Sequence, residues 1–133
     1  MAALNVNGQT IHSFFKIPPR PYLPNDKGIR IFKEKAELIK KIDLVIIDEI
    51  SMVRADLMEA IDEILRLYMQ NNIPFGGKQL LLIGDLYQLP PVLDNRKYQE
   101  VKIINSNYST RYFFSAKSIE NGFCSLPDKR TTI

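Results

Sequence analysis

The chain has 133 residues, 45% hydrophobic and 25% charged, with a formal net charge of +3, the proportions of one ordinary globular domain. Its single cysteine, Cys124, excludes an internal disulfide and a thiolate zinc cage, which suits a reducing compartment. No apolar run reaches membrane-spanning length and no basic-then-apolar leader opens the chain; the mild positive charge permits a nucleic-acid partner, with a solvated basic surface the plainer reading.

From the N-terminus, residues 2–6 suit the end of a strand, and Asn7-Gly8 is a turn signal. Thr10 is placed to cap a short helix over residues 11–15 whose apolar members are Ile11, Phe14 and Phe15. Residues 18–24 then hold four prolines in seven positions, which forbids helix or central strand. This stretch reads as an extended surface linker, with a loop beside a ligand groove as the alternative. A helix is expected over 29–41, where Phe32, Ala36, Leu38 and Ile39 form an imperfect apolar stripe.

Leu44-Val45-Ile46-Ile47 is a short aliphatic run that reads as a strand buried on both faces, and it ends abruptly in Asp48-Glu49. Asp56 stands three residues before Glu59, a capping-box-like start to a helix with Leu57, Ala60, Ile61, Ile64, Leu65 and Tyr68 on one face. Glu59, Asp62, Glu63 and Arg66 take the other face, with Asp62 and Arg66 spaced as an ion pair. A loop over 71–77 follows, then a second aliphatic strand over 79–83 closed by Gly84-Asp85. Strand, helix and strand in this order predict a βαβ crossover, and so a parallel sheet. Beyond Pro90-Pro91, strands are expected over 101–104 and 112–114, and a short helix over 116–121.

Two buried strands each ending in an acid at one sheet edge suggest a metal and a phosphate, because open α/β sheets hold ligands at the carboxyl ends of their strands. Asp48 is the hard oxygen ligand that magnesium needs. Glu49, pointing the other way along the strand, suits orienting or deprotonating a water. Asp85 joins them from the second strand, and Gln88 can accept from a water while donating to a phosphate oxygen. Turn-capping acids and a surface glutamine are the plain alternatives. Gly76-Gly77-Lys78 is a decoy: Gln79 follows where a phosphate loop has Ser or Thr, and the segment enters a strand instead of a helix. No G-x-x-x-x-G-K-[ST] occurs in the 133 residues.

Asp48-Glu49-Ile50-Ser51-Met52 followed by Gly84-Asp85-Leu86-Tyr87-Gln88-Leu89-Pro90-Pro91-Val92 resembles motifs II and III of the petite-integration-frequency DNA helicases, RecD-like members of superfamily 1. Ala2-Ala3-Leu4-Asn5 with Gly8-Gln9-Thr10-Ile11-His12-Ser13-Phe14-Phe15 looks like their motif Ia, and Pro74-Phe75-Gly76-Gly77-Lys78-Gln79 also fits. The resemblance implies a partial RecA-like sheet over 1–123, followed by a divergent tail over 124–133. It implies ATP and magnesium as cofactors, with Asp48 on the metal, Glu49 activating water, and Asp85 and Gln88 at the phosphates. Single-stranded DNA and forked duplex are the implied partners, contacted through Thr10, His12, Ser13 and Phe14, with an internal hydrogen bond the alternative for His12 and core packing for one of Phe14 and Phe15. The activity implied is 5′-to-3′ unwinding coupled to ATP hydrolysis, with DNA repair, recombination and telomere maintenance as settings. The place would be inside the cell, cytoplasmic in a bacterium and nuclear or mitochondrial in a eukaryote, with no membrane contact.

Both ends read as cuts through a longer protein. The phosphate loop is expected before Ala2 and the second RecA-like domain after the chain, so the 133 residues alone are expected to be inactive. The other readings are a non-catalytic remnant with weak single-stranded DNA affinity, or an ATPase whose phosphate loop comes from another chain.

Overall fold

A computed structural model describes residues 7–23, 26–85, 87, 88 and 102. The strand end over 2–6, the strand over 112–114 and the helix over 116–121 lie outside the described residues. Of the strand expected over 101–104, only Lys102 is described, and it is helical.

Helix α1, Ile11–Phe15, is capped as expected: Thr10 Oγ1 accepts from the Ser13 amide at 3.3 Å, and Lys16 closes the turn in the left-handed region. Phe15 enters the core, with the Phe14 ring edge-on to it at 4.9 Å. The proline-rich stretch after it is no surface linker. Ile17 and Tyr22 are only 5% and 3% exposed, the Tyr22 amide donates to Asp56 Oδ2 at 3.0 Å, and its hydroxyl donates to Glu63. Arg20 pairs with Asp26 at 2.7 Å and the Gly28 amide donates to the same carboxylate, closing the loop that follows. That partnership holds the Asp26 carboxyl below the usual carboxylate range, with the Arg20 hydrogen bond the main cause. Proline count forbids regular structure, but it does not decide whether the residues between the prolines are buried.

Helix α2, Lys33–Lys41, begins later than the expected position 29. Phe32 is extended, and its amide donates to the Tyr68 hydroxyl at 3.0 Å, so a tether to the next helix replaces the first turn. Strands β1, Leu44–Ile47, and β2, Gln79–Leu82, pair in parallel, with Leu44 opposite Gln79 and Ile47 opposite Leu82. Between them runs helix α3, Ala55–Met69, so the βαβ crossover is present. Only one face of each strand packs inward. Val45, Ile47, Leu80 and Leu82 join the core, whereas Leu44, Ile46 and Leu81 are 42%, 58% and 45% exposed. An all-aliphatic run matches a two-faced strand, but burial of the second face needs a layer that the described residues do not supply.

Helix α3 is the centre of the molecule: Met58, Ala60 and Ile61 are fully buried and Leu65 nearly so. The expected capping box does not form. Arg54 occupies the N-cap position without a side-chain cap, and Asp56, itself fully buried, takes the Arg54 guanidinium in two hydrogen bonds of 2.9 and 3.0 Å. The Asp62–Arg66 pair forms at 2.7 Å, and Asp62 also accepts from the Phe75 amide, which docks the turn Pro74–Gly77 onto α3. Gly76 sits there at a φ of 64°, and a β-carbon on it would lie 2.6 Å from the Leu65 carbonyl oxygen. Gly76 of the phosphate-loop decoy thus serves packing, Gly77 beside it turns the backbone at a φ of 79°, and Lys78 donates to the Lys40 carbonyl at 3.1 Å.

Candidate functional site

The strand register brings the two acidic turns to one edge. With Ile47 opposite Leu82, residues 48–49 and 83–85 leave the sheet side by side. The Ile83 amide donates to the Ile47 carbonyl at 2.9 Å, and the Ile50 amide donates to the Ile83 carbonyl at 3.0 Å, so each turn is stitched to the other. Gly84 permits this approach, since a β-carbon there would lie 2.9 Å from the Ile50 amide nitrogen.

Asp48 and Glu49 do not diverge through strand alternation, because β1 stops at Ile47. Glu49 instead adopts the left-handed conformation (φ 55°, ψ 42°) at the start of the 3₁₀ turn Ile50–Met52. A non-glycine residue there is uncommon and persists only where its surroundings enforce it. Its amide donates to Asp48 Oδ1 at 2.8 Å, which orients the Asp48 carboxylate. Both acids are exposed. On the other turn, Asp85 Oδ1 accepts from the Tyr87 amide at 2.9 Å and the Asp85 carbonyl accepts from the Gln88 amide at 3.1 Å. This Asx-type turn fixes the backbone of Gln88 to that of Asp85 and leaves Gln88 exposed. Leu86 and residues 89–92 lie outside the described residues.

The donor set suits magnesium. Among the described residues no group of three or more His, Cys, Asp or Glu side chains gathers to cage a metal. Magnesium typically uses one or two carboxylates, the rest of its shell being water and phosphate oxygen, and Asp48 offers an exposed, oriented carboxylate of that kind. The open cleft of about 530 Å³ lined by Glu59, Asp62, Glu63 and Arg66 includes none of the sheet-edge acids. Ser51 stands in the motif that carries the resemblance but received no role there; its hydroxyl is buried beside Glu49's turn without a hydrogen-bond partner among the described residues, a state that residue type and spacing do not show.

The residues expected at DNA lie on and beside α1. Thr10 Oγ1 is engaged as the cap, yet its O–H remains a donor. His12 and Ser13 are exposed, and the described residues give the His12 ring no hydrogen-bond partner. Phe15 takes the core position and Phe14 is half-buried, its ring under the Lys35 ammonium at 4.7 Å. Lys35 also donates to the Phe14 carbonyl. It lies 21 residues on in a lysine-rich helix, where no spacing could single it out.

A parallel βαβ unit with exposed acids where both strands end places the chain among the α/β sheets that hold a ligand at their carboxyl edge. The chain belongs to the PIF1-like helicase family, whose model matches residues 1–120. It is 41% identical over 106 residues to the ATP-dependent DNA helicase PIF1 of Emericella nidulans, a match covering 69% of this chain and 13% of that protein. The Campylobacter jejuni helicase Pif1 is 38% identical, with 86% of this chain and 25% of that protein covered. Among solved structures, Bacteroides Pif1 bound to single-stranded DNA superposes with a TM-score of 0.78 at 44% identity, covering 90% of this chain and 28% of that one. The complex of Bacteroides Pif1 with ADP-AlF4 gives 0.77 at 43%, covering 90% and 27%. The chain therefore spans about an eighth to a quarter of the length of these relatives.

Proposed function

We propose that residues 1–123 are the later part of the first RecA-like domain of an ATP-dependent DNA helicase moving 5′ to 3′ on single-stranded DNA, with 124–133 a divergent tail. The observation that carries this reading is the stitching of the Asp48-Glu49 turn to the Gly84-Asp85 turn at one sheet edge. Magnesium, when bound with ATP, neutralises phosphate charge, and Asp48 is the residue to hold it. Glu49 accepts a proton from the attacking water. Gln88, with Asp85 behind it, meets the γ-phosphate side, its amide able to donate to a phosphate oxygen and accept from the water. Thr10, His12, Ser13 and Phe14 contact the DNA strand, hydroxyls toward phosphate and rings toward bases. Forked duplex as substrate, and repair, recombination and telomere maintenance as settings, belong to the parent enzyme on this reading.

The 133 residues alone turn over no ATP, because no phosphate-loop sequence occurs among them to hold the nucleotide. Phosphate release from the purified chain is expected at background, and release that depends on Glu49 overturns this. A second reading, a non-catalytic chain with weak affinity for single-stranded DNA, is favoured by the exposed His12 and Ser13 on α1. Binding to an oligothymidine is expected to weaken with salt, and His12→Ala with Phe14→Ala to cost about tenfold in affinity, the loss of roughly one stacked base. Binding untouched by the pair of changes removes α1 from the DNA.

A further inference from the structure

Helix α1 has only five residues, too few to be stable or oriented by its own hydrogen bonds. Its direction is therefore set by what it touches. Phe15 anchors it in the core, and the Lys16 and Ile17 amides return to the His12 carbonyl, which satisfies one terminal acceptor. The Phe14 carbonyl is met from outside the helix, by the Lys35 ammonium of α2. The same ammonium stands 4.7 Å over the Phe14 ring, within cation–π range. One side chain thus grips both the backbone and the ring of the residue at the rim of α1.

We infer that Lys35 is a positioning residue for DNA binding: by holding the carbonyl and the ring of Phe14 it sets the angle at which α1 presents His12, Ser13 and Phe14. The inference rests on α1 contacting DNA, as proposed above. The contacts of the ammonium in the structure are the Phe14 carbonyl and the Phe14 ring, so its effect on DNA runs through Phe14; a direct phosphate contact is the outcome that the salt slope separates. Partial burial lowers the Lys35 pKa, with the nearby Lys16 charge adding to the effect.

The test is fluorescence anisotropy of a labelled oligothymidine with the 133-residue chain across a salt series, for wild type, Lys35→Met and Lys35→Arg. Methionine keeps most of the stem and loses the cation; arginine keeps a donor and stacks on a ring. Lys35→Met is expected to weaken binding about tenfold without altering the salt slope, and Lys35→Arg to restore it to within about twofold. In a cycle with Phe14→Leu the two losses are expected to be non-additive. An unchanged affinity for Lys35→Met overturns the inference. So does a salt slope reduced by about 0.7, which means that the lysine itself neutralises a phosphate. Should Lys35→Met fail to fold, Lys35→Ala, which also removes the donor and the charge, is read by the same criteria. Absence of wild-type binding at any salt sinks the DNA reading itself, a different result from wild-type binding that ignores Lys35.

Discussion

Grafted into a Pif1 helicase in place of the matching segment, residues 1–120 are expected to support ATP turnover that Glu49→Gln lowers by about 10²–10⁴-fold while nucleotide affinity stays near that of the parent graft. The size of the effect follows from what is removed. Glutamine keeps the shape and the polarity of Glu49 but cannot accept a proton at neutral pH, so the loss falls on the chemical step and not on binding. Placement makes the substitution clean. Glu49 is exposed, its left-handed backbone is held by the Asp48 carboxylate and by the Ile50–Ile83 hydrogen bond, and neither hold uses the Glu49 side chain. Bacteroides Pif1, 43% identical with this chain and solved with ADP-AlF4, is a suitable host. Steady-state phosphate release and fluorescent-nucleotide titration separate the two quantities. Turnover surviving Glu49→Gln assigns the base elsewhere, and a parallel loss of affinity makes Glu49 a binding residue.

Asp56→Ala is expected to cost about 3 kcal/mol of stability, and Asp56→Asn only about 1 kcal/mol, read from urea unfolding midpoints. The carboxylate is fully buried and accepts from the Arg54 guanidinium twice and from the buried Tyr22 amide once. Alanine leaves those donors unmatched and a void beneath the proline-rich strap, whereas asparagine keeps an acceptor for the Tyr22 amide. Burial is the largest influence on the Asp56 carboxyl and raises its pKa, against the charge of Arg54 and the hydrogen bonds that the carboxyl accepts. The sign follows. A carboxyl that holds its proton more tightly when folded contributes stability below its unfolded pKa, and loses it as pH rises through the folded value. Asp56→Asn is therefore expected to remove a slight decline in stability as pH rises above the ordinary carboxylate range. Equal midpoints for the alanine and asparagine variants show that the acceptor for Tyr22 is not what holds the strap.

The residues make some features plain and conceal others for physical reasons. Local chemistry suffices where one segment decides its own state. Thr10 caps α1 because a hydroxyl before an apolar turn has a free amide within reach, and Asp62 pairs with Arg66 because four residues make one helical turn. The strand–helix–strand order is legible because the aliphatic runs are too short for helices and the stretch between them keeps a helical period. The motifs that resemble PIF-type helicases are equally legible, since they are contiguous strings, and the family match over residues 1–120 agrees with them.

What contiguity cannot carry is any feature made by two distant segments. The capping box at Asp56 gives way because Tyr22, 34 residues earlier, and Arg54 offer a buried carboxylate better partners than the helix end does. The proline-rich stretch reads as a linker because nothing local says that Tyr22 reaches Glu63. The late start of α2 depends on the Tyr68 hydroxyl, and the grip on Phe14 depends on Lys35. By itself the sequence determined the helix or strand character of the elements from Ile11 to Leu82, the parallel sheet and the identity of the acids at its carboxyl edge. Tertiary structure alone decided how those acids are held, which polar groups are buried and which face of the sheet is covered. Those outcomes are pairings across the chain, whose free energy depends on distance and burial and not on spacing along the backbone.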